Sequence, residues 1–264
     1  MLISDTLLGT IDKVQISIDR LKEYEPPEGY YLAFSGGKDS ICIYQLALMA
    51  KVKFDAHFSF TTVDPPELVK FIREEYPDVS IDKPEKSMWK LIANNTMPPT
   101  RVARYCCHYL KERGGEGRFS VVGVRADESA RRKHRKMVDL CWSKNKRMLN
   151  PIIDWKDKDV WEFIRSNNFK YPKLYDEGYK RIGCIMCPMG DTKNMKRDRI
   201  KFPNYYKAYL LAFKKMLENN KKKGKECSWK TPEEVMDWWI KGEGFKKYQK
   251  EQLFETEIER YHYE

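Results

Sequence analysis

The sequence predicts an α/β fold, a mostly parallel sheet flanked by helices, with a helical C-terminal part. Three observations predict it. Short apolar and aromatic runs alternate with helix-patterned segments over most of the 264 residues. A Gly-Gly turn joins the first clear strand to a helix, and beyond about residue 190 only helical patterning remains.

The elements follow in order. Ile11, Val14, Ile16, Ile18 and Leu21 stand among charged residues, as in an opening helix over 11–24 that Pro26-Pro27-Glu28-Gly29 ends. Tyr30 to Phe34 reads as a strand, and Ile41 to Ala50 as the helix after the glycine turn. Phe54 to Thr62 reads as a second strand, Pro66 to Tyr76 as a helix opened by prolines, and Val79 to Ile81 as a third strand. Phe119 to Val124 is a further β-rich run, closed by Gly123-Val124-Arg125. Ligands of such sheets bind beyond the carboxyl ends of the strands, where the loops from Ser35, Thr61 and Gly123 would emerge.

Asp157 to Ser166 is patterned as a helix with Val160, Trp161 and Ile164 on one side. Tyr205 to Glu218 carries Tyr206, Tyr209, Leu210, Phe213 and Leu217 at three- and four-residue spacings. The lysine-rich stretch Asn219 to Lys225 reads as a hinge. Thr231-Pro232-Glu233-Glu234 then has the N-cap, proline and capping box of a helix through Ile240.

Composition narrows the function classes. Hydrophobic residues make up 41% and aromatics 13%, enough for a core, while 34% are charged. No apolar run approaches the ~20 residues of a membrane span, so no membrane partner is expected. Met1 to Lys13 holds Asp5 and Asp12 and lacks the order of a secretory signal, so a cytoplasmic location is the expectation. The formal charge of +11 favours a polyanion such as nucleic acid; an anionic nucleotide or simple solubility would also account for it.

Ser35-Gly36-Gly37-Lys38-Asp39-Ser40 is the first candidate site. Paired glycines allow backbone angles that side chains forbid and expose amides to an anion, and the following helix aims its positive end at the same point. Ser35 and Ser40 can donate hydrogen bonds, Lys38 adds charge, and Asp39 can hold a magnesium ion or fix the loop. The spacing is not that of the Walker motif, which favours chemistry at the α-phosphate over transfer of the terminal one. A plain surface turn is the bland alternative.

Gly123 through Arg132 forms a second constellation. Arg125 and Arg131 are candidates to clamp phosphate or sulfate oxygens, and Glu128 and Ser129 to position them or to read base or ribose. For Arg132, Lys133 and Arg135 a solvated basic helix start is an equal reading. Asp64, at the end of the second strand, is a candidate for ribose or metal contact, with a helix N-cap before Pro65 as its rival.

The seven cysteines are clustered. Cys106 and Cys107 are adjacent, and Cys184-Ile185-Met186-Cys187 follows 77 residues after Cys107. Two pairs supply a four-thiolate site for zinc or an iron-sulfur cluster, and adjacent cysteines suit a [4Fe-4S] cubane better than one small ion. A redox dithiol at Cys184 and Cys187, and a partly buried Cys106-Cys107, are the alternatives. Cys42 and Cys141 read as core thiols, and Cys227 as a solvated bystander. The expected division is a nucleotide-binding core with the cysteine site over 1–190, and a basic helical region over 191–264.

Several segments together resemble one family. Ser35 to Ser40 resembles the pyrophosphatase loop (PP-loop) of the adenine-nucleotide α-hydrolases, whose fold is Rossmann-like. Cys106-Cys107-His108-Tyr109-Leu110-Lys111, Gly123 to Arg132, Asn150-Pro151-Ile152-Ile153-Asp154-Trp155 with Asp159-Val160-Trp161, and Tyr175 to Cys187 are similar to the adenylyl-sulfate and phosphoadenylyl-sulfate reductases. The resemblance covers about residues 28–190. It implies ATP or adenylyl sulfate over the loop, Arg125 and Arg131 near its phosphates, and a [4Fe-4S] cluster on Cys106, Cys107, Cys184 and Cys187 beside the active site.

One feature departs from those reductases. Their nucleophilic cysteine lies in a C-terminal Glu-Cys-Gly-Leu-His segment, whereas here the chain reads Glu259-Arg260-Tyr261-His262-Tyr263-Glu264 and Glu226-Cys227 continues as Ser228-Trp229. Glu128-Ser129 and Pro98-Pro99-Thr100-Arg101 are also similar to the ATP pyrophosphatases of DNA phosphorothioation. That likeness implies magnesium-assisted adenylylation of DNA or tRNA, with a cysteine desulfurase or another sulfur donor as partner. Reduction of a sulfonucleotide, and nucleotide binding without turnover, are the other readings.

Overall fold

The computed structural model describes residues 2–6, 9–141 and 146–242. The expected C-terminal region therefore lies outside the described residues from 243 onward, Glu259 to Glu264 included. The chain divides into two units, one of 1–60, 65–83 and 113–182, the other of 61–64, 84–112 and 183–264.

The first unit is the α/β part. A hairpin of β1 (Ile3–Thr6) and β2 (Gly9–Asp12) precedes α1 (Lys13–Glu23), whose N-cap Asp12 accepts from the Val14 amide. Residues 9–12 thus extend where a helix from residue 11 is expected, because Asp12 ends one element and caps the next. There follow β3 (Tyr30–Ala33), α2 (Lys38–Ala50), β4 (Phe54–Ser59), α3 (Pro66–Glu75), β5 (Ser80–Asp82), β6 (Phe119–Val121), β7 (Val138–Cys141), β8 (Lys146–Leu149) and α6 (Asp157–Ser166). The sheet order is β5-β4-β3-β6-β8-β7, parallel except for β7 at the edge.

That order positions the site. The chain moves from β3 outward to β4 and β5, then returns to lay β6 on the other side of β3. The loops after β3 and β6 therefore emerge at a point where strand order reverses, which is where open parallel sheets bind ligands. Gly36 and Arg125 sit on these two loops.

The core of this unit is formed by Tyr30 and Leu32 of β3, Ile41, Ile43 and Leu46 of α2, Phe163 of α6, and Trp155. Trp155 is fully buried, meets Phe163 edge-on at 5.3 Å, and donates from Nε1 to Ser17 Oγ at 3.1 Å. Lys13 closes α6 onto α1 by pairing with the buried Asp159 at 2.5 Å. Burial pushes the Asp159 carboxyl up, but Lys13 and the Lys156 amide pull it further down, and the balance lies below its ordinary value. Such a group adds stability that is complete above its unfolded pKa of about 3.9 and is lost as pH falls through the lower folded value. Asp159→Asn is accordingly expected to flatten the acid limb of a urea-midpoint profile below about pH 4. An unchanged slope there would remove Asp159 from the acid-labile groups.

The second unit is helical: α4 (Met88–Asn94), α5 (Tyr105–Leu110), α7 (Thr192–Lys201), α8 (Pro203–Lys222) and α9 (Pro232–Lys241). Met88, Ile92, Tyr209, Phe213, Met236 and Trp239 lie at its centre. Asn219 to Lys222, expected as a hinge, are the last turn of α8, since lysine is a good helix former and Asn220 is anchored through Nδ2 to the Thr96 carbonyl. Thr231 caps α9 as expected, accepting from the Glu234 amide. Among the described residues, no helix is long and apolar enough to cross a membrane.

Candidate functional site

The loop between β3 and α2 takes its shape from Gly36 at φ 69°. A Cβ there would lie 2.7 Å from Leu68 Cδ1 and 2.8 Å from Ile72 Cδ1, so both the backbone angle and the packing of α3 exclude a side chain. Ser40 Oγ donates to the Gly37 carbonyl at 2.8 Å and Ser35 Oγ lies 3.2 Å from it, which ties the two ends of the loop together. The Lys38 amide, an orphan donor of the first helical turn, donates to the Tyr175 hydroxyl at 2.9 Å. Burial pushes the Tyr175 phenol well above its usual pKa, so it stays protonated.

Charge is concentrated behind this loop. Lys38, 5% exposed, places Nζ 3.0 Å from Asp157 Oδ1 and 3.3 Å from Asp39 Oδ2. Arg125, 2% exposed, donates from Nε to Asp39 Oδ1 at 2.6 Å and from Nη2 to Asp157 Oδ1 at 3.2 Å. Burial works against the guanidinium's charge, but Asp39 more than offsets that, and its pKa is raised. Arg125 Nη1 is buried with no hydrogen-bond partner, the Asp127 carboxylate standing 3.9 Å away. An unsatisfied buried donor costs about 1–3 kcal/mol and calls for an acceptor. Two inward cations, an open Nη1 and a more than half-exposed Asp157 side chain (58%) make a site where phosphate oxygens can take the place of a carboxylate.

The rest of the second constellation supports Arg125. Glu128 Oε1 accepts from the Arg125 amide at 3.1 Å, and Glu128 also pairs with Arg132. Ser129 Oγ accepts from the Arg132 amide at 3.3 Å, while Arg131 is exposed. Gly123 passes so close to α2 that a Cβ would sit 3.0 Å from the Asp39 carbonyl carbon and oxygen. Gly123→Ala is expected to cost about 1–3 kcal/mol through this backbone clash and to weaken nucleotide binding, measured by thermal unfolding with and without ATP. Retention of both stability and affinity would show that the two loops separate freely.

The four paired cysteines lie in the second unit and line one small cavity with Thr61, Met88, Leu110, Lys111, Pro188 and Tyr209. α5 carries Cys106 and Cys107. Their sulfurs share a hydrogen bond, which lowers the Cys107 pKa and raises that of Cys106. The turn Cys184-Ile185-Met186-Cys187 is over-determined: Ile185 N donates to the Val63 carbonyl, Met186 N to Asp198 Oδ2 and the Tyr209 hydroxyl to the Ile185 carbonyl. These bonds hold Met186 at φ 54°, a costly angle for a side-chain-bearing residue.

Lys111 hydrogen-bonds Cys184, whose charge is the largest cause of the raised lysine pKa. Asp64 lies in the same unit, 3% exposed, accepting from the Thr61 amide at 2.6 Å, and burial raises its pKa. The N-cap of α3 is Pro65, so Asp64 does not fill that role. Among the described residues, no three His, Cys, Asp or Glu side chains converge as ligands of a single metal ion.

Ser35, Gly36, Gly37, Lys38, Asp39, Ser40, Gly123 and Arg125 thus come together in the first unit, while Asp64 lies with the cysteines in the second. Asp157 and Tyr175 join the phosphate loop although sequence reasoning gives them no role there. The signals were present: an acidic residue opening α6, and a tyrosine in a polar, glycine-containing segment.

Comparison with known proteins agrees with this geometry. Residues 29–190 match the phosphoadenosine phosphosulfate reductase domain. The chain is 30% identical to adenosine 5'-phosphosulfate reductase 2 of Bacillus subtilis over 54% of its own length and 66% of that protein. It is 29% identical to a probable FAD synthase of Schizosaccharomyces pombe, covering 79% of this chain and 78% of the other. It is 27% identical to an uncharacterized protein of Methanocaldococcus jannaschii over 72% of this chain, and it spans only 42% of that relative's length. The solved phosphoadenylyl-sulfate reductase of Candida auris shares the fold at a TM-score of 0.51, with 19% identity over 66% of this chain and 88% of that one. Motif, sheet order and family match converge, and the chain belongs to the phosphoadenosine phosphosulfate reductase domain family.

Proposed function

We propose that this protein is an ATP pyrophosphatase-type enzyme that cleaves the α–β bond of ATP to adenylylate an acceptor, for sulfur incorporation into nucleic acid. The observation that carries the reading is Arg125, a buried guanidinium with an open Nη1 beside Lys38 and the Gly36-Gly37 turn. An acceptor oxygen attacks the α-phosphorus, the bond to the bridging oxygen breaks, and pyrophosphate leaves with the electron pair. Lys38 and Arg125, released from Asp157 by the incoming phosphates, stabilise the charge that develops. Asp39 already accepts from Arg125 and lies against Lys38, and so serves to fix the loop. The more exposed Asp157 would hold a magnesium ion, which would offset charge on the pyrophosphate.

Four thiols lining one cavity, with Lys111 as a countercharge, support a [4Fe-4S] cluster on Cys106, Cys107, Cys184 and Cys187. Such a cluster would supply a one-electron reservoir. Cys42, Cys106, Cys107, Cys184, Cys187 and Cys227 are all free thiols, in keeping with the reducing cytoplasm as the place of work. DNA or tRNA is the acceptor in this reading, and a cysteine desulfurase or another donor brings the sulfur.

Anaerobically prepared protein given α-labelled ATP and DNA or tRNA should release pyrophosphate and pass the label to the strand, and a sulfur donor should then free labelled AMP by displacing it from the adenylylated oxygen. Intact ATP in every condition, with the cysteine site loaded, would overturn the reading and leave a nucleotide-binding module. The family favours a second reading, reduction of adenylyl sulfate to sulfite. It requires a nucleophilic thiol, for which Cys227, half-buried beside Asn220, is the candidate. A sulfite adduct on Cys227, and its loss together with turnover in Cys227→Ser, would establish that reaction instead.

A further inference from the structure

The second unit has another cavity, apart from the one lined by the paired cysteines. It is an open cleft of about 410 Å³, mouth included, between the start of α7, the end of α9 and the loops at Thr100 and Pro188. Its walls are aromatic and apolar: Trp238, Trp239, Ile240, Met195 and Pro188. Trp239 is fixed, 3% exposed, with Nε1 donating to the Pro99 carbonyl at 2.6 Å, whereas Trp238 is half-buried and braced edge-on by Trp229 at 4.9 Å. Arg101 adds a positive charge at the rim while donating to the carbonyls of Pro188 and Gly190.

The surroundings of the cleft are basic. Over its whole range this unit holds twenty-three Lys and Arg against sixteen Asp and Glu, +7 of the chain's +11. Lys193 and Lys196 are exposed on α7, the helix that contributes Thr192 and Met195 to the cleft. Indole walls alone would suit many apolar ligands. Indole walls rimmed by arginine and flanked by lysines disfavour a cation and favour a flat aromatic group on an anionic backbone. An unpaired base can turn its ring face to an indole, whereas the bases of a duplex are already stacked on one another.

We propose that this cleft receives one unpaired base of a single-stranded nucleic acid, stacked on Trp238, with Lys193 and Lys196 holding the flanking phosphates. The inference rests on nucleic acid being the acceptor, and it is tested without ATP so that the two can fail separately. Fluorescence anisotropy of labelled single-stranded DNA and RNA of one sequence, and of the corresponding duplex, would be followed with the full chain at several salt concentrations. Single strands should bind more tightly than duplex. Trp238→Ala should weaken them roughly 5- to 100-fold and Trp238→Phe much less, since phenylalanine still offers a ring face for a base to stack on. Lys193→Ala with Lys196→Ala should lower the slope of log affinity against log salt by about 1 to 2.

Equal binding by wild type and Trp238→Ala, or equal losses in the Ala and Phe variants, would overturn the proposal. So would duplex binding as tight as single-strand binding, or a Trp238-dependent self-association with strand affinity unchanged, which would make the cleft a contact between copies. ATP cleavage that persists when no strand binds would leave the proposed chemistry standing and remove only this site.

Discussion

Arg125→Ala should lower ATP cleavage by about 10²- to 10³-fold, the usual loss when a preorganised donor to developing charge is removed. The size follows from its surroundings. Arg125 is 2% exposed, bonded to Asp39 at 2.6 Å and to Asp157 at 3.2 Å, and retains one open donor. Its removal leaves Asp39 and Asp157 with Lys38 as their shared cation, so only a loss of about 1–3 kcal/mol in stability is expected as well. Arg125→Lys separates the two effects. It restores a charge near Asp39 but not a fork that holds Asp39, Asp157 and a phosphate oxygen together. Stability should largely return and activity should not, as read by thermal unfolding and by AMP release. Equal recovery of both would assign Arg125 to the architecture alone.

The difference between what was legible in the sequence and what was not lies in distance along the chain. Ser35 to Ser40 could be read because strand, glycine turn and helix are adjacent and each carries a local signal, and Arg125 because it follows a strand and a glycine. Asp157 and Tyr175 carry only weak local signals, an acidic helix start and a tyrosine near a glycine, and neither names its partner. Tyr175 meets the Lys38 amide across 137 positions, and only folding brings them together. Asp198 is nearer its partner, twelve positions from the Met186 amide that its carboxylate fixes, but as one acid in the polar α7 it carries no local signal of that role.

Elements were missed for different reasons. α4 and α5, at seven and six residues, are too short to display a period, and α7 is nearly all polar, with Met195 its one buried apolar side chain. β7 and β8 are an antiparallel edge pair with charged residues, unlike the apolar central strands. The lysines ending α8 read as a hinge because charge runs usually mark loops, whereas lysine's helix propensity and the Asn220 anchor decide the matter here. The basic character of the stretch beyond residue 190 was visible; that residues 61–64 and 84–112 join it in one unit was not, because they are distant in the chain.

The second large effect concerns the cysteines. Anaerobically isolated protein is expected to hold about four iron and four sulfide per chain, and Cys184→Ser to lose most of both. Cys42→Ser and Cys227→Ser should keep them. The contrast is physical. Cys42 is fully buried in the core of the first unit, where burial pushes its thiol well above the usual pKa and keeps it protonated, which makes it a poor ligand. Cys227 does not line the cavity that the four paired cysteines share. A tetrahedral zinc ion, the main rival, needs four sulfurs at about 2.3 Å from one point. The bonds fixing Ile185 and Met186 hold the turn that carries Cys184 and Cys187, so either group would be met by a rigid pair of sulfurs. A cubane spreads its four thiolates over four corners and asks for less convergence. Iron and sulfide analysis decides between them: one zinc per chain without sulfide, or a full iron complement in Cys184→Ser, would remove the cluster from the proposed function.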